Sequence, residues 1–149
     1  MAIAFSDILT TLYTFIEGLT PQVNAAYTFK RIDTDELIMS VPEQHDERRF
    51  LIEGGQTEFQ NDRWSENSIS LNKEFTLVVR YDGAFDVKSL ESRMASDEES
   101  LITNLMSSAA RTTDQNFIIY RSTEIDRANP LKPVVRMNFY TGYNLVYTA

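Results

Sequence analysis

The stretch Pro133 to Ala149 reads PVVRMNFYTGYNLVYTA, and its pattern decides the fold class. Val135, Met137, Phe139, Thr141, Tyr143, Leu145 and Tyr147 share one parity, while Arg136, Asn138, Tyr140, Gly142 and Asn144 share the other. A period of two, rich in β-branched and aromatic residues, predicts a half-buried strand. Chain ends fray unless something holds them. So apolar a stretch is therefore expected to be paired inside a sheet.

Upstream, Asn67 to Gly83 repeats the pattern. Ile69, Leu71, Phe75, Leu77, Val79 and Tyr81 share a parity that Lys73 interrupts. One long strand is the favoured reading, because a hairpin at Asn72-Lys73 lacks the Asn-Gly signal of a tight turn; Asp82-Gly83 ends it. Asn116 to Thr123, with Phe117, Ile118, Ile119 and Tyr120, predicts a further strand. A proline-rich turn at residues 127 to 133 separates it from the closing one.

Two shorter strands are expected at Tyr27–Ile32 and Glu36–Val41, with Pro42 ending the second. A charged turn, PEQHDERR, precedes the apolar Phe50-Leu51-Ile52. Gly54-Gly55 reads as a turn. The following QTEFQNDRWSEN carries too little periodicity to assign.

Helical spacing marks two other regions. Ile8, Leu9, Leu12, Phe15, Ile16 and Leu19 recur at three- and four-residue steps, with Ser6 as the expected N-cap, Asp7 as a first-turn acid and Gly18 with Pro21 as the stop. Between Asp86 and Ala110, two pieces are expected. Asp86 caps one bearing Val87, Leu90 and Met94. Ser96 and Glu99 have capping-box spacing for the other, which bears Leu101, Ile102, Leu105, Met106 and Ala109. The acids Asp97-Glu98-Glu99 suit a helix start, whereas a single helix over 86–110 would carry them at its middle.

The chain has 149 residues, enough for one domain, 1–149. The order helix, strands, helices, strands lacks the alternation of a doubly wound fold. It predicts an α+β class: an antiparallel or mixed sheet with helices packed on one face. A globule of this length is about 40 Å across, whereas a straight fifteen-residue strand spans about 50 Å. The long strands must bend, with Gly142 as the expected bulge, or project as a ribbon whose edges another chain pairs.

A net charge of −8 argues against general phosphate-backbone binding. Cysteine is absent, which excludes thiolate chemistry and disulfides. The apolar N-terminal stretch is interrupted by Asp7 and Glu17 and has no basic leader, so neither a signal peptide nor a membrane span is expected. His45 is the only histidine; with no second His or Cys, it reads as part of a solvated loop rather than a metal ligand. No nucleophile elbow or phosphate loop appears, and no catalytic residue, metal or cofactor is expected. Trp64, with Phe59 and Arg63 beside it, sits in a polar context; tryptophan and arginine are enriched at interface hot spots, and a core plug is an equal alternative. Arg48 and Arg49 are a further interface candidate, set against a simple surface turn.

The helix FSDILTTLYTFIEGL, the strand ISLNKEFTLVVRYDG, the helix SLESRMASDEESLITNLMSSA and the strands NFIIYRSTEID and VVRMNFYTGYNLVYT, in that order and at this size, resemble the tail terminator, or tail completion, proteins of long-tailed bacteriophages. Head-completion and connector proteins of the neck are of similar size. The resemblance implies a non-enzymatic virion protein, assembled in the host cytoplasm. It would form a ring, usually of six copies, that ends polymerisation of the tail tube and meets the head-tail connector. DNA would pass through its lumen without specific binding. The alternatives are another neck protein, and a small α+β enzyme or ligand-binding domain using carboxylates such as Asp82 or Glu124.

Overall fold

The computed structural model describes residues 4–32, 47–65, 68–84, 86–112 and 115–146. The strand expected at Glu36–Val41 and His45 lie outside the described residues. Along the chain come helix α1 (Phe5–Glu17) and strands β1 (Lys30–Arg31), β2 (Arg49–Ser65) and β3 (Ser68–Arg80). Helix α2 (Leu90–Leu105), a 3-10 turn (Ser108–Ala110) and strands β4 (Gln115–Asp126) and β5 (Val134–Val146) complete it. The strands form one mixed sheet in the order β1-β2-β3-β5-β4, with both helices packed on it. The class is α+β, as the alternation patterns require.

The closing stretch lies second from one edge, between β3 and β4. It pairs with β3 without interruption from Ser68↔Val146 to Arg80↔Val134. Its apolar parity faces the helices: Val135, Met137, Phe139, Thr141 and Tyr143 are all buried. Phe75 and Phe139 stack across the two strands at 5.3 Å. Ile8, Leu12 and Ile16 of α1 and Leu90, Met94, Leu101 and Leu105 of α2 close the core over Phe50, Phe75, Leu77, Val79 and Met137.

Gly142 is not a bulge. The irregularity lies in β4, where Gln115 pairs with Tyr143 but Phe117 pairs with Gly142, leaving Asn116 extra. Glycine is required at 142 for another reason. A Cβ there would lie 2.5 Å from the Phe117 ring, which packs edge-on against Tyr140.

Other local expectations shift with identifiable causes. Ala4, not Ser6, is the N-cap of α1, and the Asp7 carboxylate accepts the Ala4 N–H at 3.1 Å. β3 is one strand through Asn72-Lys73. Gly54-Gly55 is not a turn but the site of a register shift inside β2, between Gly54↔Phe75 and Thr57↔Lys73. A second shift separates Phe59↔Leu71 from Trp64↔Ile69. The periodicity of β2 is illegible because most side chains from Glu53 to Phe59 are exposed, so neither parity had to be apolar.

Helix α2 is one piece, and Asp97 lies at its middle, buried. Asp86 caps the turn that precedes it, accepting the Ser89 N–H at 3.3 Å and the Ser89 hydroxyl at 2.7 Å.

Candidate functional site

Two arginines are the largest fully buried side chains of the chain's described residues: Arg48, at the entry to β2, and Arg93, on α2. Burying a guanidinium is tolerable only when each donor finds an acceptor, and here each does. Arg48 Nε and Nη2 donate to the two carboxylate oxygens of Asp97, at 2.7 and 3.1 Å. Its remaining donors reach the carbonyls of Val23, Asn24 and Tyr27, at 2.5, 2.8 and 2.9 Å. Arg93 Nε donates to Glu47 Oε1 at 2.8 Å, and its other nitrogens reach the Asp82 and Asp86 carbonyls and the Ser89 hydroxyl. Glu47 Oε2 also accepts the Asp82 N–H at 2.8 Å, and the Tyr81 hydroxyl donates to Asp97 Oδ2 at 2.8 Å.

These bonds tie the segment after α1, the start of β2, the end of β3 and helix α2 into one clasp at one end of the sheet. The two non-glycine residues with left-handed backbone, Asn24 (φ 53°) and Arg48 (φ 57°), both belong to it, and the Asn24 amide also bonds Asp86 and Ser89. For Arg48 that conformation is uncommon, and the five bonds of its guanidinium hold it there.

The clasp is saturated and enclosed, which suits fixing elements rather than meeting a substrate. Burial pushes the Asp97 carboxyl above its ordinary range, against the opposing pull of Arg48 and Tyr81. Burial first, and then the charge of Asp97, hold the Tyr81 phenol well above its usual value.

The residues singled out from sequence separate. Arg48 occupies no surface turn: it is inside the chain's own clasp. Arg49 is half-buried on β2. Phe59 is 46% exposed on the far part of β2. Arg63 and Trp64 lie on the same strand, but their side chains are outside the described residues. Asp82 is buried and accepts the Ala84 N–H in the turn after β3, while Glu124 stands exposed on β4.

Sequence reasoning missed the clasp, although a signal existed. Arg93 and Asp97 fall on the same three- and four-residue stripe as Leu90, Met94, Leu101 and Leu105. Charges on an apolar stripe point to a buried pair.

The sheet presents two different faces away from the clasp. Its uncovered face carries a polar ladder. Thr76 donates to Asn138 at 2.8 Å, Asn138 donates to Ser122 at 3.1 Å, and Ser70 donates to Asn144 at 2.8 Å. Arg121 pairs with Glu74 and lies over the Tyr140 ring. The helix-side face is apolar and outlasts its cover. Phe5, at the start of α1, reaches Tyr143 at 6.2 Å. Beyond it the same parity continues through Leu71 and Phe59 in one row, and Ile69 and Leu145 in the next. Phe59 and Leu145 are exposed there.

Among the described residues no cluster of three or more His, Cys, Asp or Glu is arranged to hold a metal ion. No helix among them is long and apolar enough to cross a membrane. No protein-family model matches the chain, and no curated protein matches its sequence.

Removing one partner of a buried ion pair costs about 3–5 kcal/mol. Asp97→Ala is expected to lose stability of that order in urea denaturation, since Arg48 then stays buried with carbonyls alone; a loss below about 1 kcal/mol would contradict the clasp. For Tyr81, the folded value lies above the unfolded one of about 10. Its contribution is therefore complete below about pH 10 and lost as pH rises toward the folded value. Tyr81→Phe should be less stable at neutral pH yet decline less steeply than the parent above about pH 10. Parallel alkaline declines would remove Tyr81 from the account.

Proposed function

We propose that this chain is a structural subunit of a protein ring, of the kind formed by bacteriophage tail terminator proteins. One observation carries the assembly reading. The apolar face of the sheet runs two rows past the helices that cover it, and the strands bearing those rows end in a long β2–β3 ribbon. Exposed apolar rows of this kind mark protein–protein contact more often than free surface.

Three further features support the reading. The order and lengths of the elements are those on which the resemblance rests. A chain of net charge −8 suits a lumen through which DNA slides without adhering. The buried charged residues described, which would be candidates for acid–base chemistry, are consumed by the clasp. In this role the ring, usually of six copies, caps the tail tube, ends its growth and meets the head connector in the virion neck.

Electron microscopy of tail-tube subunits from the same viral genome, polymerising with and without the purified protein, tests the role. Ring-shaped particles and tubes capped at one end, with growth arrested, are expected. Tubes of unchanged length in an excess of the protein would overturn the tail-terminator assignment.

A further inference from the structure

The exposed large apolar side chains on the strands and their connections fall into two groups, at opposite ends of the sheet. At the end remote from the clasp stand Phe59 and Leu145, with half-buried Ile69 and Leu71 between them. At the clasp end stand Leu131, 48% exposed, with Val87 and Ile125. Leu131 is fixed there, its carbonyl accepting the Gly83 N–H at 2.6 Å. The pairing of Arg127 with Glu91 holds the same connection against α2.

Charge divides the same way. The ribbon from Gln56 to Leu71 contains Glu58, Asp62 and Glu66 against Arg63 alone, a net −2. The connection from Arg127 to Pro133 contains Arg127 and Lys132 and no acid, a net +2 in a chain whose overall sign is negative.

We infer that the β2–β3 ribbon of one copy seats on the Leu131 connection of the next, head to tail. The inference rests on the ring reading and supplies its interface. Both surfaces are apolar at the centre, and their flanking charges are opposite, which favours correct register and faster encounter. The two patches differ and lie at opposite ends, so each copy keeps one of each unsatisfied until a ring closes. That is a heterologous contact, which generates a closed ring where the rotation allows it. A two-fold contact would instead bring like to like, ribbon on ribbon, with the negative charges opposed.

Two variants separate these geometries when studied by light scattering after size-exclusion chromatography. Phe59→Asp spoils the ribbon and Leu131→Asp spoils the seat, each at an exposed side chain. Each variant alone is expected to lose the oligomer and run as a monomer with an unchanged melting temperature. Mixed together they should form a one-to-one heterodimer, because one sound ribbon meets one sound seat. The milder Phe59→Ser and Leu131→Gln serve if an aspartate variant fails to fold.

If both variants keep the parent's oligomer, this interface is wrong and the ring stands on other surfaces. If each is monomeric and the mixture stays monomeric, the ribbon does not seat on Leu131. If Phe59→Asp lowers the melting temperature and leaves association intact, the ribbon strip is covered by the chain itself. A parent protein that is monomeric at high concentration sinks the ring reading together with this interface.

Discussion

Strands outrun helices. A residue advances the chain about 3.3 Å in a strand and 1.5 Å in a helix. The thirteen residues of β3 and of β5 therefore reach about 43 Å, while the thirteen of α1 reach about 20 Å. Two helices laid on such a sheet cannot cover its length. Which part stays covered depends on where the helices are anchored, and the remainder of the apolar face is left to something outside the core.

The anchor is the clasp. Arg48 and Arg93 bind the segment after α1, the entry to β2, the exit of β3 and helix α2 at one end of the sheet. Well-packed apolar residues often stabilise as much as a buried ion pair does. What the charged pairs add here is placement. Ten directed donors specify where four segments meet, and a hydrophobic substitute would not fix their positions so uniquely. With the helices held at that end, Phe5 marks the limit of the cover, and Leu71, Phe59, Ile69 and Leu145 continue past it. The outer face needs no such cover, because the Thr76–Asn138–Ser122 ladder and the Glu74–Arg121 pair satisfy its polar groups in the open.

Much of this was legible from the residues. Strands β3 and β5 could be read because the core occupies one of their faces, which forces Phe75, Leu77, Val79 and Val135, Met137, Phe139 onto one parity. The length comparison alone already required a bend or a projecting ribbon. β2 was hidden for the opposite reason: beyond Glu53 its side chains are mostly exposed, so its sequence is free to be polar, and Gly54-Gly55 imitates a turn. Asp97 misled because a carboxylate near helix-starting residues ordinarily caps. Its partner, Arg48, lies 49 positions earlier in the chain, and such a pairing has no local signature. Of the candidate interface residues, Phe59 stands on an exposed surface and Arg48 does not.

An acidic chain whose sheet ends in an uncovered apolar strip is a subunit that becomes complete on assembly. The most direct measurement is backbone hydrogen exchange at dilute and concentrated protein. The account predicts that amides from Gln56 to Leu71, and from Thr141 to Leu145, exchange fast when dilute and become protected on concentration, while those from Phe75 to Val79 are slow throughout. Equal protection of the ribbon at both concentrations would contradict it.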